Sequence, residues 1–329
     1  MQEFERGRLA PAVEVPERAE CVRRRIEERK IGPLLAPSRF DDGIVLAVHD
    51  AGLVSFLGNA HARWRKNYGE DAPDAIASAW PARGMSARSG GEIESQLGSY
   101  SFDTATPITR GTWDAARDAA NVALSAAEAI TEGERSAFAL TRPPGHHASY
   151  DVFGGYCYLN NVAIAADWLT RRGLRVAILD VDYHHGNGTQ SIFYDRSDVL
   201  FVSIHADPNF AFPHFLGFAD ETGQNVGDGF NLNLPLSRGT DWARYAEALD
   251  LGLHRVGDFG PDVVLVSLGL DTFEDDPIAQ FKLARPDYFR MGEAIAGLKV
   301  PTVFNFEGGY DLNGLAEITV NVLEGFEAG

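Results

Sequence analysis

Apolar residues recur three and four apart over residues 18–29, 44–64, 112–131, 159–171, 241–256 and 286–298, the spacing that lines one face of an α-helix. Between these stretches lie short runs rich in Val, Ile, Leu and Phe at 137–140, 176–179, 199–204, 263–268 and 302–306. The runs are mostly apolar throughout instead of alternating, as in strands covered on both faces, and so predict a buried, mainly parallel sheet. Residues 67–98 carry Gly, Pro, Ser and charged positions without a clear period, which predicts a long loop insertion between two helical segments. With no internal repeat and no linker of low complexity, residues 1–329 read as one α/β domain.

Composition narrows the chemistry more than the fold. The 45% hydrophobic content is ample for a sizeable core, and no run approaches the roughly 18 apolar residues of a membrane span. Residues 1–30 are dense in Glu and Arg and contain no stretch resembling a signal peptide, so a cytoplasmic location is expected. A formal charge of −18 would repel a phosphate backbone and draw small cations, although acidity of this kind also serves solubility alone. Only two cysteines occur, Cys21 and Cys157, too few for a disulfide framework or a thiolate metal site. Any metal must therefore be held by histidine and carboxylates.

Four of the apolar runs end in polar clusters, and open parallel sheets bind ligands at the carboxyl ends of their strands. The first is followed by Arg142-Pro143-Pro144-Gly145-His146-His147, the second by Asp180-Val181-Asp182-Tyr183-His184-His185-Gly186-Asn187-Gly188. The others lead into Gly269-Leu270-Asp271 and Glu307-Gly308-Gly309-Tyr310. In an extended chain Asp180, Asp182 and His184 share one side. With Asp271 from a neighbouring strand end, Asp182 and His184 complete three ligands that leave room for water, an open site suited to zinc and also to iron(II) or manganese(II). An open metal activates water and polarises a carbonyl. His146 and His147 can supply the base, and Tyr310 the donor to a developing oxyanion. Asp180 can hold one histidine in a fixed tautomer and Asn187 the other.

These residues, with Gly154-Gly155-Tyr156-Cys157, resemble the arginase/deacetylase superfamily, specifically its histone-deacetylase-type enzymes. Val48-His49-Asp50-Ala51, residues 207–217 and Asp271-Thr272-Phe273-Glu274-Asp275-Asp276-Pro277 are most similar to the bacterial acetylpolyamine amidohydrolases. The resemblance covers nearly the whole chain and implies a three-layer αβα fold. It implies zinc on Asp182, His184 and Asp271, with His147 as general base and acid, His146 as its electrostatic partner and Tyr310 as oxyanion donor. It also implies structural potassium, the nearer ion held by Asp180, Asp182 and backbone oxygens of His184, Ser203 and Ile204. Tyr156 and Phe212, with Gly155, would line a substrate tunnel. The loop at 67–98 would shape its mouth across a homodimer interface, with Glu94 meeting a distal ammonium. Relatives commonly open with an additional strand and rim loop, and this chain begins at what reads as the end of that loop. Ala105 stands where some relatives place another rim carboxylate, and Asn187 where many true histone deacetylases have aspartate.

The expected activity is zinc-dependent hydrolysis of acetylated amines, acetylpolyamines foremost, with nucleic acid and membrane excluded as partners. The alternative is a protein acetyl-lysine or broader acyl-amine deacylase. A binder without catalysis would require a broken metal set or a missing Tyr310, and a ureohydrolase a second aspartate where Phe273 stands. The isolated His49, His61 and His254 read as structural or exposed, Cys157 as a packed thiol, and His205 and His214 as tunnel-wall or chemical groups.

Overall fold

The computed structural model describes residues 2–5, 8–82, 84 and 88–329. Its centre is a six-stranded, wholly parallel sheet of β3 (Ser136–Ala139), β4 (Val176–Asp180), β5 (Val199–Ala206), β6 (Asn231–Leu236), β7 (Val263–Leu268) and β8 (Thr302–Phe306), in the spatial order β3-β8-β7-β4-β5-β6. Alternation along the strands sends side chains to two separate cores. In β4, Val176 and Ile178 join Val199, Phe201, Val263 and Leu265 on one face, while Ala177 and Leu179 join Leu200, Val202, Val264 and Val266 on the other. Helix α5 (Thr112–Thr131) and α6 (Asn161–Thr170) cover the first face; α8 (Trp242–Phe259), α9 (Arg285–Ala296) and α10 (Leu315–Ala328), with α1 (Pro16–Arg29), cover the second. The result is the three-layer αβα arrangement. A fully buried Leu, Ile or Val contributes roughly 1.5–3 kcal/mol, which is why the central strands carry apolar residues on both faces.

The strand order also locates the crevice. From β4 the chain proceeds outward to β5 and β6, then returns past β4 to β7 and continues the opposite way to β8. Connections leave the carboxyl ends of β4 and β7 in opposite directions, and the gap between those ends is where open α/β sheets receive ligands.

Two expectations change. The helix expected over 44–64 is two, α2 (Asp42–Leu46) and α3 (Ala51–Tyr68), because Asp50 caps the second by accepting the Leu53 N–H at 3.1 Å and gives its own N–H to Tyr150 O at 2.7 Å. The loop expected at 67–98 is shorter: α3 runs to Tyr68, and α4 (Ile93–Tyr100) opens before the span ends. Residues 83 and 85–87 of that span lie outside the described residues. At the start, β1 (Gln2–Glu5) and β2 (Arg8–Pro11) form an antiparallel hairpin, and Thr104 Oγ1 donates to Phe4 O at 3.0 Å. Among the described residues, no helix is long and apolar enough to cross a membrane.

His49, in the break between α2 and α3, is buried. Its Nε2 accepts the Asn160 N–H at 2.9 Å, so Nδ1 carries the proton and donates to Ser149 O at 2.8 Å. Burial pushes its pKa down to about 4 from the ordinary 6.5. The unfolded chain takes up this proton near 6.5 and the folded one only near 4, so the His49 contribution is complete above pH 6.5 and is lost as pH falls toward 4, by roughly 3 kcal/mol. Urea midpoints at pH 7.5 and pH 5 should therefore converge in His49→Gln relative to the parent chain; an unchanged gap would remove His49 as a source of acid sensitivity.

Candidate active site

Beyond Asp180 the chain bends, and the three residues that extended spacing would put on one side divide: Asp180 pairs with His146, while Asp182 and His184 face each other. Asp182, His184 and Asp271 converge, with one ligand atom of each within 4.8 Å of the others. His184 presents Nδ1 to Asp271 Oδ2 at 2.9 Å and to Asp182 Oδ1 at 3.4 Å. Backbone donors hold the carboxylates: Gly308 N–H to Asp182 Oδ2 at 2.9 Å, and Tyr183 N–H to Asp271 Oδ1 at 2.8 Å. Two buried carboxylates and one imidazole nitrogen facing each other form a donor set that fits a divalent cation of borderline hardness.

Glycine makes this approach possible. A Cβ on Gly308 would sit 2.5 Å from Asp271 Oδ2 and 2.6 Å from Asp182 Oδ2, and one on Gly269 would overlap the Asp182 carboxylate outright. The floor of the site is therefore bare backbone on two strand ends.

Asp180 bonds His146, Oδ2 to Nδ1 at 3.0 Å, while Asn187 Oδ1 accepts His147 Nδ1–H at 2.7 Å. Both histidines are buried, with ring centroids 4.0 Å apart, and their surroundings drive them in opposite directions. Burial disfavours charge on His146, but Asp182, Asp180 and Glu307 together outweigh it and lift the imidazole to about 10. His147 has an amide partner instead of a carboxylate, and burial with the neighbouring His146 and His184 drives its pKa well below 6.5. Their surroundings thus favour charge on His146 and disfavour it on His147.

Tyr310 follows β8 and is almost wholly buried; burial pushes its phenol well above 10, so it keeps its proton. Its ring lies 5.7 Å from that of Tyr156. Phe212 stands edge-on to His147 at 5.0 Å and 6.2 Å from His184, so both aromatic rings stand beside these residues. Gly155 packs against the His147 ring and gives its N–H to Asp103 at 2.5 Å. Ser203 lies beside Asp180 in the register of β4 and β5, with Ile204 the next residue along β5. Glu94 is not brought to these residues: it is exposed on α4 and accepts the Tyr68 hydroxyl.

His205 is buried, with Nε2 on Gly217 O at 2.9 Å and Nδ1 on Ser203 Oγ at 2.8 Å. Burial pushes it down to about 4, and His214 is exposed. Sequence reasoning missed Phe102, whose ring stacks on Phe212 at 5.9 Å, and Arg18, which is fully buried. Arg18 gives Nε–H to Gly309 O at 2.6 Å and an Nη2 proton to Glu307 O at 2.5 Å, and Glu14 joins it to Arg142. Nothing in the local sequence singles out one arginine in a helix rich in Arg and Glu. A second buried group, His146, Cys157 and Glu307, has ligand atoms equally close, but His146 there is already engaged by Asp180.

The chain matches the histone deacetylase domain family over residues 12–326. It is 50% identical over 322 residues to acetylpolyamine amidohydrolase 2 of Pseudomonas aeruginosa, covering 98% of this chain and 93% of that protein. It is 48% identical over 320 residues to the acetylpolyamine amidohydrolase of Mycoplana ramosa, covering 97% and 93%. A crystal structure of acetylpolyamine aminohydrolase from Burkholderia pseudomallei superposes with a TM-score of 0.95 at 39% identity, over 99% of this chain and 94% of that one. The chain belongs to the histone deacetylase domain family and is a hydrolase of the deacetylase class with the arginase/deacetylase fold.

Proposed function

We propose that this protein removes acetyl groups from small acetylated amines, acetylpolyamines foremost. The observation that carries the reading is the meeting of Asp182, His184 and Asp271 with the His146 and His147 pair at one strand-end crevice. The identity to acetylpolyamine amidohydrolases over nearly the full chain supports the substrate class. Asp182, His184 and Asp271 would hold zinc, and the same donors accommodate iron(II) or manganese(II). When bound, the cation supplies Lewis acidity to an acyl carbonyl and to water beside it.

The remaining work falls to the chain. His147, neutral and oriented by Asn187, accepts the proton of the attacking water and returns it to the amine nitrogen as the C–N bond breaks, leaving acetate and free amine. His146, cationic beside Asp180, favours the negative charge that develops nearby. The Tyr310 hydroxyl donates to the oxygen that gains charge when the carbonyl carbon is attacked. Tyr156, Phe212 and Gly155, beside Tyr310 and His147, would flank the acyl chain, and burial with Glu3 of β1 close by keeps the Tyr156 phenol protonated. We further propose structural potassium on Asp180, Asp182 and backbone oxygens of His184, Ser203 and Ile204. In this reading the protein is a single domain acting as a homodimer, in which Glu94 serves a substrate's distal ammonium.

Turnover of acetylcadaverine, acetylputrescine and an acetyl-lysine peptide by zinc-reconstituted protein, beside a chelator-treated control, tests this. Chelator-sensitive acetate release selective for the diamines is the expected result. Preference for the peptide would make the protein a lysine deacylase, and release from none would overturn the assignment.

A further inference from the structure

Asp276 belongs to the segment that follows β7, and the chemistry above leaves it unused. It is buried at 8% exposure, and its Oδ2 accepts the backbone N–H of Tyr310 at 2.7 Å. Its Oδ1 accepts the N–H of Ile278 at 3.0 Å. Burial presses the carboxyl toward its neutral form, up to about 7 with Asp271 near, and these two N–H bonds oppose that pressure.

The other end of the same peptide group is also held. The Gly309 carbonyl oxygen accepts Arg18 Nε–H at 2.6 Å, so the Gly309–Tyr310 peptide lies between a guanidinium at its oxygen and a carboxyl at its N–H. Both contacts match the peptide dipole. A flipped plane would turn oxygen toward carboxyl and N–H toward guanidinium, losing both bonds at once, the Arg18 bond being charge-assisted. The hold matters because Gly309 adopts φ +112°, a conformation glycine takes freely and leaves as freely. Peptide orientation sets the direction of the Tyr310 side chain, whose ring lies 4.6 Å from the Arg18 guanidinium.

We propose that Asp276 is a positioning residue for Tyr310, gripping the Gly309–Tyr310 peptide from its N–H end while Arg18 grips the carbonyl end, and so fixing where the phenol hydroxyl stands. The inference rests on the reading of Tyr310 as the oxyanion donor. It predicts that Asp276 matters only while that hydroxyl is present.

The test is a double-mutant cycle of Asp276→Ala with Tyr310→Phe on zinc-reconstituted protein, with kcat and KM for acetylcadaverine, zinc content and thermal midpoint measured on all four chains. With Tyr310 present, Asp276→Ala should lower kcat on the order of 10-fold at unchanged KM and full zinc content. In the Tyr310→Phe background the same substitution should cost less than about threefold. Asp276→Asn, which keeps an oxygen acceptor for the N–H, should recover most of the loss; if the alanine variant does not fold, Asp276→Leu, similar in size and without an acceptor, carries the cycle instead. Equal losses in both backgrounds, no loss at all, or a loss explained by missing zinc would overturn the role of Asp276 while leaving the deacetylase reading intact. Near-normal turnover by Tyr310→Phe alone would instead overturn the reading of Tyr310, and this inference with it.

Discussion

Tyr310→Phe should retain its zinc and lose turnover by roughly 100- to 1000-fold, the usual cost of removing one oxyanion donor. Phenylalanine keeps the ring, and with it the contacts to Tyr156 and Arg18. The backbone bond to Asp276 does not involve the side chain and should persist. Only the hydroxyl is lost, and its contribution is felt only when charge appears on the carbonyl oxygen. The loss should therefore fall on kcat with little change in KM. Steady-state kinetics with metal analysis on the same sample checks this, and near-normal turnover would remove Tyr310 from the reaction.

His184→Ala should instead fold and fail to retain stoichiometric zinc. It removes the one nitrogen ligand and leaves Asp182 and Asp271 facing each other. Both carboxylates would still be held by backbone N–H groups of Gly308 and Tyr183, so the substitution should not dismantle the strand ends. What remains is a two-oxygen site, poor for zinc. Metal analysis after dialysis against trace-metal-free buffer reads this directly, and acetate release should fall to background. Zinc retained at one equivalent would mean that another ligand set holds it.

The parts of the fold legible in the chain were those where burial leaves an unmistakable trace. Strands β4, β7 and β8 are covered on both faces and read as apolar runs. The polar clusters beyond them stand out because nothing apolar is required there. Edge strand β6 escaped because its Asn231 and Asn233 turn inward to Gln190 and Glu221, so a buried strand carries a polar pattern. Helix α7 (Asn187–Phe193) begins at the end of the histidine motif, where Asn187 and Gly188 mask its start. Helix α10 has ordinary helical spacing, and its absence from the expected set has no physical cause. At the site, the polar clusters pointed to Asp182, His184 and Asp271 as one group and to partners for His146 and His147 without saying which, but Arg18 and Asp276 bond backbone groups about 290 and 34 positions away. Such contacts leave no local pattern.

The bare floor at Gly269 and Gly308 has a consequence for altering this enzyme in the laboratory. Any substituent there would push into the Asp182 and Asp271 carboxylates, so variants at these two positions should drop out of a library whatever activity is selected. Phe212 and Tyr156 are permissive by comparison: both are partly exposed, and their rings meet other rings, not the backbone that holds the Asp182 and Asp271 carboxylates. Acceptance of longer or bulkier acyl groups should therefore be reached by trimming side chains along the channel, never by deepening its base.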